Sequence, residues 1–134
     1  MTHLLDSSAW LAHLLGEPGV DQVTLLFDDP TVTIHVSVLS LPEVHGRLKA
    51  LGQEARWPHV WATYSLLFER ILPVSQAIAE QAIRLRSAAS ERVPTIDALI
   101  AGTAVVNRLT LVHRDPHFAS IPTSTLLQLP LPED

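Results

Sequence analysis

Short apolar runs, several rich in β-branched residues, alternate along this chain with longer segments whose apolar positions recur every three or four residues. A layered α/β arrangement accommodates both periods in that order. The short runs form strands of a mostly parallel sheet, and the amphipathic segments carry the chain back across it. His3-Leu4-Leu5 is the first such run, stopped by Asp6-Ser7-Ser8, after which Ala9 to Leu15 reads as a helix ended near Gly16 and Pro18. A short helix is expected over Val20 to Phe27, and a strand over Thr31 to Val36 after the Asp29-Pro30 turn. Ser40-Leu41-Pro42-Glu43 opens a helix running through Val44, Leu48 and Leu51, with Pro42 tolerated in the first turn.

The second half follows the same plan. Trp57, Val60, Trp61, Tyr64, Leu67, Phe68 and Ile71 form one wide helical face, read as core with room for an interface. Ile71 to Val74 reads as a short strand or connector, and Ser75 caps a helix that turns Ile78, Ala82, Leu85 and Ala89 inward. After a break at Val93-Pro94, Ala98 to Leu109 is apolar nearly all round and therefore a buried helix. Its Gly102 implies close approach of a neighbouring backbone. Leu109 to His113 has strand character up to Arg114-Asp115-Pro116, and Thr125 to Leu129 reads as a last strand. Nothing in the 134 residues resembles a linker or repeat, so one domain over residues 1–134 is expected.

Composition narrows the chemistry. No run reaches the roughly 18 to 20 apolar residues of a membrane span, and Met1 to Asp6 lacks the plan of a signal peptide, so a cytoplasmic protein with no membrane partner is expected. Cysteine is absent, which excludes thiolate metal sites and cysteine nucleophiles. A hydrophobic fraction of 47% with a mean hydropathy of +0.24 makes oligomerisation a live expectation. A net charge of -5 argues against binding nucleic acid by broad phosphate neutralisation, but not against a nuclease, because carboxylates loaded with divalent cations reverse their local charge. Eight of the nine basic residues are arginine, a bias equally produced by genome composition.

Four acids stand at suggestive places. Asp6 and Asp115 directly follow expected strands, while Glu43 and Asp97 lie in first helical turns. Each has an ordinary role open to it: Asp6 as a helix cap, Glu43 as partner of Ser40 in a capping box, Asp97 as a first-turn acid and Asp115 as a turn former before proline. In a parallel sheet, however, strand C-termini and adjacent helix N-termini share the edge where such folds place ligands. Four carboxylates converging there would need protons or hard divalent cations. The histidines at positions 3, 13, 35, 45, 59 and 117 show no spacing that makes a zinc site preferable.

These blocks also carry a resemblance. Leu4-Leu5-Asp6-Ser7-Ser8-Ala9-Trp10-Leu11, Val36-Ser37-Val38-Leu39-Ser40-Leu41-Pro42-Glu43-Val44, Asp97-Ala98-Leu99-Ile100-Ala101-Gly102-Thr103-Ala104 and Leu111-Val112-His113-Arg114-Asp115-Pro116-His117-Phe118 occur in the order and spacing of PIN domains. They most resemble the VapC-like toxins of type II toxin–antitoxin systems. The resemblance spans almost the whole chain. It implies a PIN-like three-layer sandwich with a mostly parallel central sheet flanked by helices. It also implies an endoribonuclease in which Asp6, Glu43, Asp97 and Asp115 are catalytic and bind Mg²⁺ or Mn²⁺, hydrolysing RNA with metal-activated water to leave 5′-phosphate and 3′-hydroxyl ends.

Ser8 matches the small polar position near the first acid, where it orients a ligand or water. His113 stands where threonine or serine is commoner, as an outer partner of the site or a packed strand residue. Arg114 is a candidate phosphate contact, with a solvated arginine as its ordinary alternative. The implied partners are the RNA substrate, a cognate antitoxin protein and a second copy in a homodimer. An RNA-processing PIN nuclease without an antitoxin and a non-catalytic PIN-like RNA- or protein-binding module are the rival readings.

Overall fold

In the computed structural model, which describes residues 1–133, five strands form one sheet in the order β3-β2-β1-β4-β5, every neighbouring pair parallel. The strands are β1 (His3–Leu5), β2 (Ile34–Ser37), β3 (Arg70–Leu72), β4 (Thr110–His113) and β5 (Gln128–Pro130). Helices α1 (Ser7–Leu15), α2 (Val20–Asp28), α3 (Ser40–Ala50), α4 (Trp57–Leu67), α5 (Gln76–Ala88) and α6 (Thr95–Val106) complete the α/β sandwich. Strand alternation divides the core into two layers of apolar side chains. Leu4 and Leu111 face α5 and α6, whose Ala82, Leu85, Ala98 and Ile100 pack there with Phe118 and Leu126. Leu5, Ile34, Val36 and Val112 face the other way, onto α1 to α4.

The first helix shows how local chemistry sets an element. Asp6 is its N-cap, with extended backbone, and its carboxylate accepts the Ala9 N–H at 2.8 Å. Gly16 closes the helix at φ 67°, a left-handed geometry that glycine adopts without Cβ strain, and its N–H reaches the Ala12 carbonyl. One turn past the cap, Trp10 is fully buried. Its ring lies 5.1 Å edge-on from Phe68, 5.4 Å from Tyr64 and 6.2 Å from each of Trp57 and Trp61, which stack on one another. The aromatic cluster therefore locks the helix that Asp6 begins.

Most expected elements are present, with shifted limits. The segment from Trp57 to Ile71 is helical only to Leu67, because Phe68 turns extended to enter the Trp10 cluster and the chain then pairs with β2 as β3. Trp57, Val60, Trp61, Tyr64 and Phe68 serve the core, whereas Leu67 and Ile71 stay exposed. Strand β5 begins later than Thr125, whose N–H closes a turn on the Pro122 carbonyl. The capping box open to Ser40 and Glu43 as an ordinary role is not formed, since Leu39 occupies the cap position and Glu43 bonds elsewhere. Among the described residues no helix is long and apolar enough to cross a membrane.

Gly102 lies where α6 presses on α5. A Cβ there would come within 2.8 Å of the Ile78 carbonyl oxygen and 3.3 Å of the Ala82 nitrogen, both backbone atoms. Gly102→Ala would gain about 1 kcal/mol of helix propensity in the open, but here the helices must move apart. A net loss of about 1 to 3 kcal/mol, read as a lower thermal midpoint, is expected.

His35 is fully buried beside Leu4 in the sheet, its Nε2 3.1 Å from Thr33 Oγ1 and its Nδ1 without a partner. Burial pushes its pKa below the usual 6.5, with the terminal amine and Arg70 adding to the effect and Glu69 opposing it. A base depressed in the folded state contributes stability that is intact above 6.5 and is lost as pH falls below it. Against the non-titrating His35→Leu variant, the wild type is expected to lose relative stability between pH 7.5 and 5 in paired urea melts.

Candidate functional site

At the C-terminal edge of the sheet, β1 and β4 lie side by side, with the Asp6 N–H donating to the Val112 carbonyl at 3.0 Å. Asp6 follows β1, Asp115 lies two residues past β4, Asp97 sits in the first turn of α6 and Glu43 in the first turn of α3. Capping geometry does much of the aiming. Asp115 accepts the His117 N–H at 2.9 Å at the head of a short 3₁₀ turn, Pro116–Ser120, much as Asp6 accepts from Ala9.

The charges are in electrostatic contact. Asp6 is 3% exposed, and its pKa is pushed up to about 7, chiefly by burial, with the charges of Asp115 and Asp97 adding to it against the hydrogen bonds from Ser8 and Ala9. Asp97 is raised to about 6 by burial, then by Asp115 and Glu43, with His117 opposing. Glu43 is exposed at the rim, where its Oε1 accepts the Ser7 hydroxyl at 2.5 Å with Ser40 Oγ 2.9 Å from Ser7 Oγ. The four acids thus approach one edge from four elements, Asp6 deepest and Glu43 outermost.

Ser8 ties the site together. Its hydroxyl lies 2.7 and 2.9 Å from the two Asp6 oxygens, and its oxygen accepts the Arg114 N–H at 2.8 Å. Arg114 itself is neither solvated nor free. Its guanidinium donates to Glu17 Oε1 at 3.1 Å and to the Pro18 carbonyl at 3.0 Å, clamping the loop after α1 to the end of β4. These two bonds use two of the five guanidinium N–H donors and fix the direction in which the rest can point.

His117 enters the cluster from a position that spacing did not distinguish. Its Nδ1 is 3.0 Å from Asp115 Oδ1 and 3.3 Å from Asp97 Oδ2. One donor atom from each of these three residues lies within 4.8 Å of the others, a separation that a single ion can span. A buried carboxylate with raised proton affinity, further carboxylates beside it and an imidazole nitrogen suit a divalent cation, which would offset both the burial of negative charge and the smaller mutual repulsion that together raise the two acids' pKa values.

The model of the PIN domain family matches residues 3–123. The chain belongs to the PIN-domain family. No curated protein matches it by sequence. Among solved structures, VapBC2 from Rickettsia felis, bound to a DNA fragment from its promoter, is similar with a TM-score of 0.79 at 19% identity, covering 98% of this chain and 100% of that one. A toxin–antitoxin complex from Klebsiella pneumoniae gives 0.65 at 29% identity, with coverages of 90% and 93%. VapC20 from Mycobacterium tuberculosis, a sarcin-ricin loop cleaving toxin, gives 0.73 at 15% identity, with coverages of 98% and 100%. At these identities the first and third likenesses speak for the fold.

His113 gives this PIN domain a support of its own. It is buried, its Nδ1 accepts the Asp115 N–H at 3.2 Å, and its Nε2 bonds Gln128 Oε1 at 2.9 Å, while Gln128 Nε2 donates to the Ile121 carbonyl. Those bonds define the neutral tautomer with the proton on Nε2. His113 therefore holds the backbone of Asp115 and points no nitrogen at the carboxylates. His113→Leu leaves the part-buried Asp115 N–H and Gln128 amide oxygen without their partners, and a loss of about 1 to 3 kcal/mol in denaturant unfolding is expected. His113→Gln, which keeps polar atoms on the side chain, should lose less.

Proposed function

We propose that this PIN domain is a metal-dependent endoribonuclease, the toxin of a VapBC-type pair, acting in the cytoplasm as a single catalytic unit over residues 1–134. The observation that carries the proposal is the convergence of Asp6, Asp97 and Asp115, with Glu43 at the rim, on the edge of a parallel sheet. Residue 134 lies outside the described residues. The structural likeness to VapBC complexes and to a toxin that cleaves the sarcin-ricin loop supports RNA as the substrate and a cognate antitoxin as partner. Leu25, Leu66, Ile83 and Leu127, each more than three-fifths exposed, supply apolar surface for an antitoxin or for a second copy in a homodimer.

Asp6, Asp97 and Asp115 would hold Mg²⁺ or Mn²⁺, with Glu43 completing the set from α3. The chemistry such an ion supplies when bound is activation of water near neutral pH and neutralisation of phosphate charge. The protein's own contributions are positional. Ser8 fixes the rotamer of Asp6 through its hydroxyl, and the same atom sets the path of the chain into Asp115. Ser7 holds Glu43 toward the site from the first turn of α1. The Trp10 cluster keeps α1 from shifting as charge enters, so the donors are pre-placed instead of gathered on binding.

Cleavage of a structured RNA by the purified protein should require Mg²⁺ or Mn²⁺, stop with chelator and fall at least about 100-fold in Asp97→Asn, the scale at which loss of a preorganised electrostatic group is felt. The same variant should melt a few degrees higher than wild type when both are metal-free at pH 8, because it removes one of the mutually repelling charges. Absence of cleavage with either ion, together with unchanged growth inhibition by Asp97→Asn, would leave the catalytic reading without support. An adjacent reading frame for a short DNA-binding protein is the expected genomic sign of the antitoxin.

A further inference from the structure

We infer that His117 is a nitrogen donor to the ion shared by Asp97 and Asp115, and that it biases this PIN site toward Mn²⁺ over Mg²⁺. The inference rests on the nuclease reading above and concerns which ion the site selects. Three facts carry it. His117 Nδ1 is the histidine nitrogen that lies among the carboxylates, at 3.0 and 3.3 Å from Asp115 and Asp97. The only other histidine close in sequence to these acids, His113, has both ring nitrogens committed to Gln128 and to the Asp115 N–H. Finally, His117 is about half exposed, so its ring can shift by the few tenths of an ångström that coordination demands without disturbing the core.

The placement of His117 is itself built into the fold. Pro116 starts the 3₁₀ turn, the His117 N–H caps onto Asp115 Oδ1, and Phe118 is fully buried immediately afterwards. The ring is therefore held between an anchored aromatic and a capped acid, which leaves it facing Asp97 across the edge. Mg²⁺ demands oxygen ligands in a near-ideal octahedron and gives up its waters reluctantly, whereas imidazole is a better ligand for later first-row ions. A site of oxygens alone leaves the two ions close in affinity. One nitrogen separates them.

The test uses the full-length metal-free protein titrated calorimetrically with Mn²⁺ and, separately, with Mg²⁺. Pulsed electron paramagnetic resonance of the Mn²⁺-loaded protein then looks for imidazole nitrogen coupling. Wild type should show that coupling, and His117→Ala should lose it while its Mn²⁺ affinity falls about tenfold and its Mg²⁺ affinity changes little, in line with loss of one donor. His117→Gln, which substitutes an oxygen donor, should lose the coupling and bring the two affinities together, and its unaltered melting curve would exclude a folding defect. Mn²⁺ bound without histidine coupling, or an unchanged affinity ratio in both variants, overturns this inference and leaves the nuclease reading standing. Failure of the wild type to bind either ion overturns both.

Discussion

Negative charge held away from water is the constraint around which this molecule is arranged. Asp6 is almost wholly buried, Asp97 and Asp115 are largely shielded, and the charges of Asp97 and Asp115 add to the raised proton affinity that burial gives Asp6. Such a group is tolerated because hydrogen-bond donors meet it: the Ala9 N–H and Ser8 hydroxyl at Asp6, and the His117 N–H at Asp115. The aromatic packing of Trp10 then fixes α1, the helix that carries Ser8 and Ala9. Stability and chemistry oppose one another here, and the surrounding core supplies what the site withholds.

For Asp6 and Asp115 the capping role and the proposed metal-binding role fall on the same carboxylates. Asp6 and Asp115 do cap a helix and a turn, and that is how their carboxylates come to be aimed. A cap fixes a side chain relative to the backbone just after it, and a parallel sheet fixes where those backbones begin. Glu43 departs from this pattern, since Ser7 from another element holds it and its own helix contributes no cap.

Periodicity revealed the α/β class, the buried character of α6 and the tight approach at Gly102, because each leaves a local signature. The end of α4 did not show, since Phe68 leaves helical geometry for a tertiary contact with Trp10. Likewise β3 is only three residues long, and it was half legible as a strand or connector because its status comes from pairing with β2. Strand order was not readable at all, and with it went the partners of Arg114, which binds Glu17 and Pro18 across nearly a hundred residues of chain. His117 escaped for the same reason. Its only sequence sign is nearness to Asp115, and nearness to Asp97 exists only once α6 and β4 meet at one edge.

The strand order has a consequence for how the molecule is made. Strand β1, the third residue onward, occupies the middle of the sheet, with β2 on one side and β4 on the other. During synthesis β2 follows within some thirty residues, but β4 emerges only after Val106 has left the ribosome. Until then the nascent chain has one flank of β1 unpaired and neither Asp115 nor its capping turn in place. Asp115 therefore joins Asp6 and Asp97 at the sheet edge only once the chain through β4 and its following turn has been made.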